Sequence, residues 1–283
     1  MSKKRDHREI ESPWLFGAGS IREFIPASDR EQSRRRAKRK RPFILESGSE
    51  RHLLFSHDSV QSSMRLDDPT ALTCEYTRRM MAFLLFNQEP RHILMVGLGG
   101  GSIPKFCYRH LPHTRITTVE IDADVIALRD EFLLPFDDDR FEVVHADGVR
   151  YLAQTQELFD VVLVDAFDHE GVAPALAASD FYRHAAERLT EDGVFVLNLS
   201  GEPTRYDAHL QRIHDAFGSR TALVEVSSGE NELLFAFKRD RRFDTPAKVQ
   251  LANDLKRTLG LEFPRYLRLL GVAARDQEAE LGA

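Results

Sequence analysis

The sequence predicts an α/β protein whose core is a doubly wound, mostly parallel sheet. From residue 92 onward, apolar runs of strand length alternate with stretches of helical periodicity, which is typical of repeated βα units. The first four runs are apolar throughout, as expected when helices cover both faces of a parallel sheet. A glycine-rich turn follows the first run, and the second run ends on an acid. This order is typical of a nucleotide-binding unit.

The predicted elements follow one another regularly along the chain. Strands are expected at 92–97, 115–120, 141–146, 159–165 and 193–199, and helices near 103–111, 123–132, 148–154, 179–189 and 205–217. The segment 221–237, TALVEVSSGENELLFAF, predicts two strands joined by a polar turn, which would add an antiparallel edge. Leucines spaced by four after Pro246 predict a helical C-terminus.

Ahead of the sheet, three short and partly alternating segments predict a small antiparallel β unit. They are PFILES, HLLFSH and VQSSMR, at 42–47, 52–57 and 60–65, and a helix is expected to start near 67–69. These patterns divide the chain into four expected parts. They are a basic arm over 1–41, the β unit over 42–68, a nucleoside-binding catalytic domain over 69–240 and a helical extension over 241–283.

Charge is unevenly distributed along the chain. Residues 1–42 contain 13 Lys/Arg and 6 Asp/Glu, although the whole chain has a net charge of −6. Seven of the eight residues from Arg34 to Arg41 are basic, which suits either a contact with nucleic acid or a solvated arm. We favour the arm and do not expect nucleic-acid binding, because no aromatic residues are interleaved with the basic run.

Composition also bears on the cellular compartment of the protein and on whether it spans a membrane or binds a metal. Cys74 and Cys107 are the only two cysteines, too few for a disulfide framework, and together with the lack of a secretory pattern they favour the cytoplasm. No apolar run approaches the length of about 20 residues that crosses a bilayer, so we expect no membrane span. His145, His169 and His184 lack metal-ligand spacing and the two cysteines are too few for a metal cluster, so we expect no metal.

The glycine turn and the acid after it are the clearest functional signal. Gly97, Gly99 and Gly101 lie in HILMVGLGGGSIPKF, at 92–106, where a bare backbone lets a ligand approach closely. Glu120 ends the next strand in TTVEID and can accept hydrogen bonds from both hydroxyls of a ribose. We therefore predict a nucleotide site.

Further acids follow the next two strands, at the edge where such sheets bind ligands. Asp147 follows the third strand, and Asp165 and Asp168 follow the fourth. Each acid has an alternative interpretation as a helix cap or a turn residue. Taken together, they would repel a pyrophosphate and stabilise a cationic sulfonium. A dinucleotide-dependent oxidoreductase is therefore the weaker alternative.

Several motifs in a fixed order resemble the spermidine synthase (polyamine aminopropyltransferase) superfamily, which has the Rossmann-like fold of class I methyltransferases. The resemblance covers roughly residues 45 to 240, and its motifs are SVQSSMRLDDP, EYTRRM, GLGGGSIPKF, VEID, HADGVRYL, FDVVLVDAF and DFYRHAAERLTEDGVFVLNL. It implies transfer of an aminopropyl group from decarboxylated S-adenosylmethionine to a small amine in polyamine biosynthesis, and it makes a homodimer plausible.

The resemblance also implies roles for individual residues. Asp165 is the expected catalytic aspartate, with Asp168 beside it. The expected donor-binding residues are Glu120 for the ribose, Asp147 with Gly148 for the adenine, and also Gly97, Gly99, Gly101, Ile121 and Asp165.

The chain departs from the family where the family recognises a diamine and a decarboxylated donor. Gly100 stands in place of an aspartate, the family's tyrosine-histidine-glutamate reads Tyr76, Thr77 and Arg78, and Val226 stands in place of an aromatic residue. We therefore expect a degraded diamine site and allow intact S-adenosylmethionine as the donor. Three function classes stay open: an aminopropyltransferase-like enzyme, a methyltransferase or aminocarboxypropyl transferase, and a non-catalytic nucleoside-binding module.

Overall fold

The computed structural model describes residues 41–56, 59–168, 171–177, 180–200, 206–226 and 231–281. The basic arm predicted over 1–41 lies outside the described residues except for Arg41, whose Nε is 3.2 Å from Asp124 Oδ2. Both side chains of this ion pair are largely exposed, so it contributes little to stability.

The predicted N-terminal β unit is present as a three-stranded antiparallel sheet. Its strands are β1 (Phe43–Ser47), β2 (Glu50–Ser56) and β3 (Ser59–Arg65), in that order. Gly48 has a φ of 60° in the turn between β1 and β2, a conformation that suits glycine. Leu53 and Met64 are buried and join the sheet to the main core.

The helix expected from 67–69 begins later, as α1 (Glu75–Met80), and continues as a 3₁₀ helix (Met81–Leu85). The difference has a local cause at Asp68. Its carbonyl accepts a hydrogen bond from Ala71 N at 3.1 Å, and its carboxylate accepts one from Thr70 Oγ1 at 3.0 Å. These bonds close a turn that competes with helix formation.

The main sheet confirms the predicted architecture. Its strands and helices in chain order are β4 (His92–Val96), α2 (Ser102–His110), β5 (Arg115–Glu120), α3 (Ala123–Ile126), β6 (Phe141–His145), α4 (Gly148–Gln154), β7 (Phe159–Val164), β8 (Phe167–Asp168), β9 (Gly171–Val172), α5 (Pro174–Ala177), α6 (Phe181–Arg188), β10 (Leu189–Ser200), α7 (Asp207–Phe217), β11 (Thr221–Glu225), β12 (Asn231–Phe237), α8 (Pro246–Leu259) and α9 (Phe263–Leu281).

Seven of these strands form one sheet in the order β11-β12-β10-β7-β4-β5-β6. The five strands from β10 to β6 in this order pair in parallel. The two edge strands are antiparallel, since β12 runs against β10 and β11 runs against β12. The fold is therefore the predicted α/β fold with a mostly parallel sheet and an antiparallel C-terminal edge.

Buried apolar side chains cover both faces of the sheet in two clusters. All six residues of β7 are buried, as its apolar run predicts. The C-terminal helices belong to the first cluster, since α9 packs on β11 and buries Phe263, Leu267 and Leu270. Among the described residues, no helix is both long and apolar enough to span a bilayer.

One helix is shorter than its predicted range of 123–132. After Ile126 the chain changes to tight turns, with Leu128 N bonded to Val125 O and Arg129 N to Ile126 O. Leu133 then adopts a φ of 53°, which is unusual for a residue with a side chain. This path buries Phe132 against the glycine turn.

Candidate active site

The site lies where the strand order reverses, at the carboxyl ends of β4 and β7. These strands are neighbours, and their loops leave toward opposite sides of the sheet, which opens a crevice between them. Gly97 follows β4 and Asp165 follows β7, and Asp165 N donates to Val96 O at 2.9 Å. The two residues named from separate motifs are therefore adjacent.

Gly97 is required by this approach of the two loops. Its φ is 96°, and a Cβ atom on it would lie 2.2 Å from the carbonyl oxygen of Asp165. Real Cβ atoms do not come this close to a backbone oxygen, so a side chain at this position would displace the loop that carries Asp165.

Glu120 fixes the other side of the glycine turn. Its Oε2 accepts a hydrogen bond from Leu98 N and its Oε1 accepts one from Asp122 N, both at 2.8 Å. The residue is only 8% exposed, but each oxygen keeps a second lone pair. The backbone therefore orients the carboxylate, which can still accept the hydroxyls of a sugar.

The residues assigned to an adenine surround the ends of β5 and β6. Ile121, directly after Glu120, is 65% exposed and offers an apolar surface to a flat ring. Asp147 caps α4, since its Oδ1 accepts from Val149 N at 2.9 Å, so the cap interpretation holds for this one oxygen. A Cβ on Gly148 would lie 2.6 Å from Val96 Cγ1, so glycine lets α4 approach the end of β4.

Two hydrogen bonds from opposite sides hold the Asp165 carboxylate. Tyr76 Oη donates to Oδ2 at 3.1 Å, and Asn198 Nδ2 donates to Oδ1 at 2.9 Å. Burial raises the pKa of Asp165 to about 6, although both hydrogen bonds oppose this change. Burial also raises the pKa of Tyr76 well above its ordinary value, and the Asp165 charge adds to the effect. Asp165 is therefore ionised at pH 7, and it is a better proton acceptor than an exposed aspartate.

Two residues of this network were not predicted from the sequence. Asn198 is 1% exposed on β10, and Asn231 at the start of β12 donates from Nδ2 to Asn198 Oδ1 at 2.9 Å. Asn198 interrupts the apolar run VFVLNL, a signal that marks a buried polar residue needing partners. The sequence predicts Asn231 in the polar Ser-Gly-Glu-Asn turn of the segment 221–237, and its pairing with β10 is not visible in the local sequence.

Other predicted positions are only partly described. The backbone of Asp168 forms β8 and pairs with Gly171 of β9, while its side chain lies outside the described residues. Val226 is 1% exposed, and residues 227–230, which follow it, also lie outside the described residues. Arg78 donates to Leu72 O and Thr73 O, at 2.9 and 2.6 Å, so it stabilises the turn before α1.

Gly100 is enclosed by the small β unit and the segment after α3. A Cβ on Gly100 would lie 2.8 Å from Ser62 Oγ and 2.9 Å from Phe132 Cδ1. The Lys105 ammonium donates to Phe132 O at 2.7 Å and helps to hold this segment. A hydroxyl and a phenyl ring, both neutral, therefore border the position of the family's aspartate.

Comparisons with known proteins identify the family of this chain. A family model described as "Spermine/spermidine synthase domain" matches residues 73–224. The polyamine aminopropyltransferase of Neisseria meningitidis serogroup A is 38% identical over 227 residues, which cover 79% of this chain and 86% of that protein. The human eEF1A lysine and N-terminal methyltransferase is 32% identical over 216 residues, which cover 68% of this chain but only 30% of that protein.

A solved structure relates the fold to the same families. Human methyltransferase-like protein 13, solved in complex with SAH, superposes with a TM-score of 0.58 at 28% identity, covering 66% of this chain and 93% of that one. The matched family model spans more than half of the chain and includes Tyr76, the glycine turn, Glu120, Asp165 and Asn198. This chain therefore belongs to the spermine/spermidine synthase family and is a transferase-like enzyme with the methyltransferase-type α/β fold.

Proposed function

We propose that this chain binds an adenosyl sulfonium donor, S-adenosylmethionine or its decarboxylated form, and transfers an aminopropyl-type group to a small amine. One observation carries the proposal. Tyr76 and Asn198 fix the carboxylate of Asp165, and the backbone carbonyl of the same residue lies directly against Gly97 of the glycine turn. A proton acceptor is thus adjacent to the place where the fold binds a nucleoside.

The donor half of the crevice fits an adenosyl group. Glu120 offers two oriented oxygens for the ribose, and Ile121 offers an exposed apolar surface for the base. Asp147 offers Oδ2 for an amino group, since the exposed Arg150 side chain is 4.0 Å from this oxygen and can move aside. The human relative that was solved with SAH supports this assignment. The Asp165 carboxylate favours a cationic donor over a pyrophosphate.

In the acceptor half of the crevice, we propose Asp165 as the group that takes the proton. An alkyl amine with a pKa near 10 is mostly protonated at pH 7, so it must lose a proton before it can attack carbon. As the new C–N bond forms, the C–S bond breaks and its electron pair stays on sulfur. Asp165 takes the amine proton, directly or through water, and its two hydrogen bonds fix the direction from which the amine approaches.

A second candidate, transfer of a methyl or aminocarboxypropyl group from intact S-adenosylmethionine, is favoured by the surroundings of Gly100. The family's aspartate would repel a donor carboxylate, whereas Ser62 and Phe132 are neutral. The methyltransferase relatives support this alternative. Putrescine is expected to be a poor acceptor because several residues of the family's diamine site are replaced.

Calorimetric titration followed by product analysis tests both candidates. We expect the purified protein to bind S-adenosylmethionine or methylthioadenosine, with an acceptor amine gaining an aminopropyl group when the decarboxylated donor is supplied. A mass gain of one methyl or one aminocarboxypropyl group from intact S-adenosylmethionine would establish the second candidate instead. Failure to bind either nucleoside would refute the donor assignment itself.

Donor selectivity is expected to depend on position 100. In Gly100→Asp combined with Phe132→Ala, which makes room for the side chain, the new carboxylate should weaken binding of intact S-adenosylmethionine about 10-fold or more relative to the decarboxylated donor. The ratio of the two dissociation constants is the measurement, and Phe132→Ala alone is the control. An unchanged ratio would place Gly100 away from the donor's charged end.

Four expectations stay predictions. They are the homodimer, the cytoplasmic location, the absence of a metal and the absence of nucleic-acid binding by the Arg34 to Arg41 run. Light scattering of the purified protein would test the first, and titration with DNA and RNA at low salt would test the last.

A further inference from the structure

The hydrogen bonds behind Asp165 continue into the core as a directed chain. Asn231 Nδ2 donates to Asn198 Oδ1, and Asn198 Nδ2 donates to Asp165 Oδ1, each at 2.9 Å. Asn198 is 1% exposed and Asn231 is 8% exposed, so solvent has little access to either residue. These two hydrogen bonds connect β12, β10 and the end of β7, which are three adjacent strands of the sheet.

The amide group of Asn198 determines the direction in which these hydrogen bonds are donated. The Asn198 side chain has one accepting oxygen and one donating nitrogen, and the Asn231 donor is bonded to the oxygen. The nitrogen is then left for Asp165. The opposite orientation would place the Asn198 oxygen against the ionised carboxylate, which has no proton to donate, and this buried hydrogen bond would be lost even if the Asn231 amide turned as well.

We propose that Asn198 is a positioning residue for the transfer reaction, and that the hydrogen bond from Asn231 supports its amide in the orientation in which Asp165 Oδ1 receives a hydrogen bond. The inference rests on the proposed role of Asp165 as proton acceptor. The donor of Asn198 stabilises the ionised carboxylate against the cost of burial. Because Tyr76 occupies one site on Oδ2 and Asn198 one on Oδ1, the remaining lone pairs define where an amine can bind.

The other titratable groups described beside Asp165 do not change charge between pH 5 and pH 9. They are Tyr76, whose pKa lies well above its ordinary value, and Cys74, whose pKa burial raises to about 11. Both are therefore neutral from pH 5 to pH 9. A titration of the Asp165 carboxyl in this range thus reports on Asp165 and its two hydrogen-bond donors.

The test is an NMR titration of ¹³C-labelled aspartate carboxyls in the full chain, with Asp165→Asn used to assign the signal. We expect the wild-type midpoint near pH 6 and a higher midpoint in Asn198→Leu, which removes the donor and keeps a similar volume. Asn231→Leu, which leaves Asn198 in place, should move the midpoint in the same direction but less. Tyr182→Phe, which removes another buried hydroxyl, bonded to His209, is the control and should leave it unchanged.

The pH profile of kcat gives a second measurement. In Asn198→Leu, kcat at pH 6.5 should fall about 10-fold and recover toward the wild-type value at pH 9, because deprotonation is restored there. Unchanged midpoints in both the Asn198 and Asn231 variants would overturn the inference, even in an active enzyme. If the proposed reaction is wrong, Asp165→Asn keeps full activity or no turnover is found, whereas the NMR titration still decides the role of Asn198.

Discussion

Asp165→Asn is expected to remove turnover while leaving donor binding nearly intact. Asparagine has the same shape but cannot accept the amine proton, so kcat should fall about 10²- to 10⁴-fold. The new side chain can keep both neighbours, because its oxygen accepts from Asn198 and its nitrogen donates to the Tyr76 hydroxyl oxygen. The dissociation constant of the donor, measured by calorimetry, should change by less than about 3-fold.

The stability of this variant separates lost chemistry from lost structure. Burial raises the pKa of Asp165 from 3.8 to about 6, so between these pH values the folded chain binds more protons than the unfolded chain. The contribution of Asp165 to stability therefore falls as pH rises from about 4 to about 6 and stays unfavourable above that range. Asp165→Asn should consequently be at least as stable as the wild type at pH 8, as judged by its melting temperature.

The same substitution at the opposite end of β7 is a matched control. Asp160 is 8% exposed and accepts hydrogen bonds from Arg91 N, His92 N and Thr190 Oγ1. Asp160→Asn should lower the melting temperature and leave kcat per folded molecule unchanged. If Asp165→Asn retained wild-type turnover, Asp165 would not be the proton acceptor. If the wild type bound donor without turnover on any amine, the chain would be the non-catalytic module that the sequence left open.

The sequence was sufficient to predict the parts of the site that depend on local patterns. Gly97 and Glu120 could be named because a strand, a glycine turn and a second strand ending on an acid follow one another closely along the chain. The order of parallel strands then placed Asp165 at the same edge of the sheet, and the structure brings it against Gly97.

The remaining features depend on contacts between distant segments. Asn231 contacts Asn198 only because β12 pairs with β10 in an antiparallel register that places Asn231 opposite Ser200. No local sequence pattern determines this register. The helix predicted over 123–132 ends at Ile126, because burial of Phe132 against Gly100 requires turns that helical propensity does not favour. The absence of an aspartate at position 100 was visible in the sequence, but the ring that borders this position was not.

Gly97→Ala is expected to cost both stability and donor binding. The residue has a φ of 96°, and its new Cβ would meet the Asp165 carbonyl at 2.2 Å, so the loops after β4 and β7 must separate. Positive φ alone costs about 1 to 2 kcal/mol, and the forced movement of a packed backbone adds about 1 to 3 kcal/mol. Urea denaturation measures the loss of unfolding free energy, and calorimetry measures the loss of donor affinity, which should exceed 10-fold because Asp165 and the glycine turn move apart.

Gly260→Ala isolates the contribution of the close contact. Gly260 ends α8 with a φ of 71°, and among the described residues no atom outside its own helix and its chain neighbours lies within 4 Å of the position that a Cβ would take. The Gly260→Ala variant should therefore lose only the unfolding free energy that a positive φ costs, and its affinity for the donor should not change. Equal losses of unfolding free energy in Gly97→Ala and Gly260→Ala would mean that the loops after β4 and β7 separate without cost. The contact between Gly97 and Asp165 would then not be what holds the proton acceptor beside the donor.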